Sequence, residues 1–185
     1  ARVMQEIILP TVAGMAREGM HFTGFLYAGL MIDANGQPKT VEFNARLGDP
    51  EAEVILMRLK SDLAELLLQA EAGKLAQPEL PTLQWDRRTA LGVVMAAAGY
   101  PAQPRQGDEI DGLPAPADDA VVFHAGTAVD AQGRLITTGG RVLCVTALGE
   151  SVKTAQQRAY DALAPIRFDG AQFRTDIGHR AVKRG

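Results

Sequence analysis

The chain has 185 residues, 46% of them hydrophobic, and a formal net charge of -3. That length accommodates one domain or two small ones, and the apolar content calls for a packed core rather than disorder. No Lys/Arg run interleaves with aromatics, so nucleic acid is not expected as a partner; no apolar run is long enough to span a bilayer; and the single cysteine, Cys144, excludes an intramolecular disulfide and fits a reducing, cytoplasmic compartment.

The opening "ARVMQEIILP" has neither the order of a signal peptide nor an initiator methionine, and it reads as helix at once. The expectation is a chain that begins inside a larger protein. Residues 2–18 are expected to be helical, with Val3, Ile7, Ile8, Val12 and Met15 on one side and Pro10 as a local cost. "HFTGFLYAGLMID" (21–33) reads as a largely buried strand, "ANGQ" (34–37) as a turn and "PKTVEFNAR" (38–46) as the returning strand. Pro50 suits the start of a helix, and Leu56, Leu59, Leu63, Leu66 and Ala70 carry a helical face through 51–72. Within it, Asp62 is expected to cap a second helical piece, with Glu65 at the reciprocal position.

"GKLAQPELPTLQWDRR" (73–88) is rich in Pro and polar residues, and a domain boundary is placed there: 1–75, a linker at 76–88, and 89–185. Strands are expected at 89–99, 121–128, 134–138 and 141–148, then a helix at 151–164 opened by Ser151. The fold class is α+β, its second half a strand-rich module with a closing helix. Cys144, inside "RVLCVTAL", and the small-residue run "LGVVMAAAGY" read as core strands; the latter lacks the G-x-G-x-x-G spacing. No basic cluster interleaves with Trp85 or Tyr160, so neither is assigned to base stacking, and His21, His124 and His179 have no partner at metal-ligand spacing.

The polar residues concentrate at 42–51. Strand side chains alternate, so Glu42 and Asn44 share a face, and Arg46 joins them if the strand continues. A hard cation takes oxygen from such a pair, and magnesium prefers one or two protein oxygens with waters and phosphates. A guanidinium just beyond suits a carboxylate or phosphate. On the pattern alone, the wet face of an ordinary strand, with Phe43 and Ala45 inward, is the commoner explanation. Asp49 and Glu51 have ordinary roles too, as a turn former and a first-turn helix carboxylate.

The segments "TGFLYAGLMIDANGQPKTVEFNARLGDPEAE", "LGVVMAAAGYP", "VFHAGT" and "TGGRVLCVTALGESVKTAQQRAY" resemble, in order and across the chain, the glycinamide ribonucleotide synthetase family of ATP-grasp ligases. The resemblance implies the C-terminal section of an ATP-grasp core, antiparallel strands with helices, followed by a small C-terminal domain. It implies ATP-driven joining of glycine to 5-phosphoribosylamine in purine biosynthesis, with Mg2+ or Mn2+ held by Glu42 and Asn44. Arg46 and Asp49 would lie at the reaction centre, and Glu51 is the other candidate for the glycine ammonium. Arg141, after the two glycines of "TTGGR", is the candidate for the ribose phosphate, with Arg105 and His124 as weaker substrate contacts. Related enzymes carry a further acidic ligand twelve residues before the Glu, where this chain has Leu30. The expected partners are these small molecules, with the protein a monomer or weak dimer. As it stands the chain is expected to be inactive, and the rival reading is a non-catalytic binding or stabilising module of a larger protein.

Overall fold

In the computed structural model, which describes residues 1–75 and 82–183, the first helix opens on a π-helical turn, Met4–Ile8, before becoming α1, Leu9–Arg17. Pro10 is the reason. It has no N–H to donate, and its ring crowds the carbonyl four residues back. The turn widens, so that the Leu9 N–H donates to the Met4 carbonyl, and the Thr11 hydroxyl donates to the Ile7 carbonyl at 2.7 Å.

The described residues form two compact units, Ala1–Asp49 with Ser61–Leu83, and Pro50–Lys60 with Gln84–Gly185. In the first, β1 (Tyr27–Ile32) and β2 (Pro38–Asn44) make an antiparallel hairpin. Asp33 organises its turn: one carboxylate oxygen accepts from the N–H groups of Asn35 and Gln37 at 2.9 and 3.0 Å, and Gly36 takes a positive φ of 74°. Both strands are shorter than expected. Residues 21–26 find no strand partner among the described residues, and β2 ends at Asn44. Helix α3 (Leu63–Glu71) is capped by Asp62 as expected, its carboxylate accepting from the N–H groups of Ala64 and Glu65 at 2.8 and 3.2 Å. Glu65 itself accepts from Gln69, one helical turn on. Of the linker expected at 76–88, residues 76–81 lie outside the described residues.

The second unit is built on a four-stranded antiparallel sheet in the order β4-β7-β3-β8: Ala120–His124, Arg141–Gly149, Thr89–Ala96 and Gln172–Phe173. The run expected at 121–128 breaks at Ala125 and Gly126. Its second half, β5 (Thr127–Val129), pairs instead with β6 (Leu135–Thr137). Strand β7 is buried from Val142 to Gly149 because helices cover both faces of the sheet. On one face α4 (Val152–Leu163), capped by Ser151, brings Ala155, Ala159 and Leu163 onto Leu91, Val93, Met95, Leu143 and Val145. On the other, α2 (Glu51–Arg58) sets Val54 over Gly92, between Cys144 and Thr146. Cys144 is core, as expected, with its sulfur 3.4 Å from the Thr146 hydroxyl. Thus α2 packs in the second unit, although it precedes the Pro-rich stretch. Strand β8 and the short α5 (His179–Val182) carried no pattern strong enough to be expected. Among the described residues no helix is long and apolar enough to cross a membrane.

Backbone bonds tie the end of α2 to the approach to β3. The Asp86 N–H donates to the Arg58 carbonyl at 2.7 Å, the Lys60 N–H to Gln84, and the Arg58 guanidinium donates back to the Asp86 carbonyl. The buried Asp86 carboxylate accepts from the side chain and backbone N–H of Arg88, with Lys60 at 3.8 Å. The Arg88 hydrogen bonds hold this carboxyl far below the usual carboxylate range. A depressed pKa contributes stability above the unfolded value of about 4, lost as pH falls through the lower folded value. Asp86→Ala is therefore expected to lower the melting temperature at pH 7, with the gap to wild type closing only in strong acid. A gap unchanged across a pH series of thermal melts would remove the ion pair as its cause.

Candidate metal and substrate sites

The first candidate site lies on the hairpin. Glu42 stands opposite Gly29 and Asn44 opposite Tyr27, so these four residues share one face. The pairing shifts between Gly29 and Leu30: Leu30 pairs with Thr40, leaving Val41 as an extra residue, a β-bulge. Gly29, and not Leu30, is therefore directly across from Glu42. Glu42 is exposed and Asn44 half-buried at the strand end. Two same-face positions on a strand lie roughly 6.5–7 Å apart, within reach of one ion for side chains of these lengths. A carboxylate and an amide oxygen, with the bare backbone of Gly29 opposite, fit Mg2+ or Mn2+, which would keep water and phosphate oxygens as its other ligands. Among the described residues no group of three His, Cys, Asp or Glu side chains is placed to hold a metal.

Arg46 does not extend this face. The strand ends before it, and Arg46 sits in a bend, exposed, donating to the Leu47 carbonyl at 3.0 Å. Asp49 follows in a turn, also exposed. In the second unit, Glu51 is the first residue of α2, half-buried, with Pro50 as N-cap. Sequence reasoning passed over Glu53, whose Oε2 is buried without a hydrogen-bond partner among the described residues. The acid-rich run "GDPEAE" was the only signal for it, because periodicity makes it an ordinary helix residue.

The remaining candidates gather at one end of the second unit's sheet. Arg141 opens β7, exposed, opposite Ala96 at the end of β3; His124 closes β4 opposite Leu143. The loop after His124 is bonded to the same backbone, Ala125 N–H to the Val142 carbonyl at 3.0 Å and Gly126 N–H to that of Arg141 at 2.9 Å. His124 Nδ1 lies 3.1 Å from the Thr127 hydroxyl. The glycines around Arg141 have internal reasons to be glycine. A Cβ on Gly126 would stand 2.7 Å from the Gly139 Cα and 2.8 Å from the Arg141 carbonyl oxygen, and one on Gly140 would stand 2.5 Å from the Tyr100 ring. They let two backbone segments and a ring pack closely, and so set where β7 begins.

Arg105 is committed differently. Its Nε donates to Asp108 at 2.8 Å, its Nη2 donates to the Asp169 carboxylate and, at 2.9 Å, to the Asp169 carbonyl. The hydrogen bond to Asp108, then that to Asp169, push its pKa further up. With two carboxylates already on the guanidinium, Arg105 clamps residues 105–108 to the 169 segment.

Residues 1–52 match the ATP-grasp (A) domain model of phosphoribosylglycinamide synthetase, and residues 90–180 match its C domain model. The phosphoribosylamine–glycine ligase of Ralstonia nicotianae is 59% identical over 184 residues, all of this chain and 43% of that protein. The ligase of the same name from Yersinia pestis is 56% identical over 185 residues, again all of this chain and 42% of that protein. Among solved structures, the phosphoribosylamine–glycine ligase of Thermotoga maritima is similar with a TM-score of 0.77 and 37% identity, over 94% of this chain and 42% of its own. The biotin carboxylase domain of a Hydrogenobacter thermophilus 2-oxoglutarate carboxylase shares the fold at a TM-score of 0.61 and 16% identity, over 91% of this chain and 37% of that one. The chain thus spans about two fifths of the length of the relatives it matches. With residues 1–52 and 90–180 matched by two models of one enzyme family, and relatives of that name more than half identical along the whole chain, the chain belongs to the phosphoribosylglycinamide synthetases, of which it carries an ATP-grasp portion and the C domain.

Proposed function

We propose that the protein carrying this chain is an ATP-dependent carbon–nitrogen ligase that joins glycine to 5-phosphoribosylamine, giving glycinamide ribonucleotide, ADP and phosphate. The observation that carries the reading is the identity of 59% along the whole chain with a ligase of that name, at a site where Glu42 and Asn44 share a strand face. Residues 1–75 then form the last section of the ATP-grasp core, 76–88 the connection and 89–185 the C-terminal domain, with α2 packed on its sheet.

In the first step an oxygen of the glycine carboxylate attacks the terminal phosphorus of ATP; the bond to the bridging oxygen breaks and ADP leaves. In the second, the amine of phosphoribosylamine attacks the carbonyl of glycyl phosphate, inorganic phosphate leaves and the amine loses a proton. Both steps need positioning and charge neutralisation more than a protein nucleophile. Glu42 and Asn44 would hold the Mg2+ or Mn2+ that accompanies ATP. When bound, such an ion neutralises phosphate charge and polarises the phosphoryl group. Arg46, exposed and donating to the Leu47 carbonyl, would grip the acyl phosphate oxygens with its other N–H groups. Asp49 or Glu51 would take the glycine ammonium. Arg141, with His124 nearby, would hold the ribose phosphate; Arg105 is the weaker candidate because Asp108 and Asp169 already occupy it.

The deciding experiment is a coupled ADP-release assay on the full-length protein. Sustained turnover should require glycine, phosphoribosylamine and a divalent cation together; sustained release at an unchanged rate with any one of them omitted would refute the reading. The 185-residue chain alone is expected to give no glycine-dependent release and to bind Mg-ATP weakly, since the relatives are more than twice its length. Tight binding by calorimetry would show that the remainder is not needed for the nucleotide.

A further inference from the structure

We infer that Gly29 is a positioning residue for the cation site: its missing side chain is the space in which the Glu42 side chain lies. This rests on the assignment of Glu42 as a metal ligand. A Cβ built on Gly29 would stand 2.9 Å from Glu42 Cγ and 3.6 Å from its Oε1. The first distance is well inside carbon–carbon contact, and Cγ is too near the backbone to yield without a change of rotamer or a shift of the strand.

Nothing in the backbone asks for glycine here. Gly29 is not among the residues with positive φ, and it lies within β1 between Ala28 and Leu30, where glycine weakens a strand. The bulge at Val41 makes Gly29 the direct partner of Glu42, where side chains on facing positions meet. Bulge and glycine act together: one sets which residue faces Glu42, and the other leaves the carboxylate lying across the strand toward the face it shares with Asn44. The Glu42 side chain can thereby lie over the bare backbone of Gly29, a placement that a Cβ there would deny it.

The test is a mutant cycle in the full-length enzyme with Mn2+ as probe, its binding in the presence of ADP followed by loss of the free-ion EPR signal. Glu42→Ala should weaken Mn2+ binding about tenfold or more, and Gly29→Ala about tenfold, the scale on which loss of a supporting contact lowers metal affinity. The double variant should bind no worse than Glu42→Ala alone, because removing Cγ removes the clash, and it should melt no lower than Glu42→Ala. Shortening Glu42 to Asp should give no such relief, because Cγ stays in place. If Gly29→Ala fails to fold, the double variant must recover the fold of Glu42→Ala. Mn2+ binding to Gly29→Ala equal to wild type, or a double variant worse than both singles, would overturn the inference. Unchanged binding in Glu42→Ala would instead overturn the metal assignment beneath it.

Discussion

Glu42→Ala in the full-length ligase is expected to lower turnover at fixed magnesium by about a hundredfold or more, and Asn44→Ala by a comparable factor. Metal-borne stabilisation of phosphoryl charge is worth several kcal/mol, and each 1.4 kcal/mol is tenfold in rate. The two variants should differ in how they respond to excess magnesium. On the proposed assignment Asn44 would be a neutral ligand, so its loss should weaken affinity that mass action can restore in part. Glu42 would supply the charge, and its loss should be harder to repair. Folding should survive in both, because Glu42 is exposed and Asn44 ends its strand, and surface changes of this kind usually stay within about 0.5 kcal/mol. Circular dichroism melts check the second point and magnesium titrations of the steady-state rate check the first. Normal turnover in both variants would remove the metal assignment.

Arg141→Ala should raise KM for phosphoribosylamine roughly ten- to a hundredfold, the cost of a charge-assisted hydrogen bond at about 1.5–3 kcal/mol. The kcat and the KM values for glycine and ATP should change little. The ribose phosphate is remote from the reacting amine, so its grip serves ground state and transition state alike. Arg141 is exposed where β7 begins, and the close packing of Gly126, Gly139, Gly140 and Tyr100 fixes that point of the backbone. Arg141→Lys should recover only part of the loss, because an ammonium lacks the planar fork. Equal losses for all three substrates, or a fall in kcat alone, would exclude the phosphate role. Arg105 would then be next in line, at the added cost of separating it from Asp108 and Asp169.

Much of the local structure is legible in the residues themselves. Alternation around "ANGQ" specifies a hairpin, and Asp33 and Gly36 close its turn. Asp62 and Ser151 mark two helix starts because a short side-chain oxygen can satisfy N–H groups that the helix leaves free. The pairing of Glu42 with Asn44 on one face also follows from strand period alone, since the bulge falls before Glu42.

What the tertiary structure decided are matters of partner and fit. Alternation runs on through Val41 with no sign of a bulge, so only the cross-strand pairing shows that Gly29 faces Glu42. Arg46 leaves the strand face because β2 stops at Asn44. The glycines of "TTGGR" sit against Gly126 and the Tyr100 ring, neighbours that only the fold supplies. Helix α2 joins the second unit because the small Gly92 leaves room for Val54 on a sheet that begins some thirty residues later. Arg105 reads as a free basic residue until Asp169, sixty-four positions away, closes on it. Periodicity and capping act over a few residues and are written in their order along the chain, whereas bulges, close packing and ion pairs depend on which distant atoms arrive opposite.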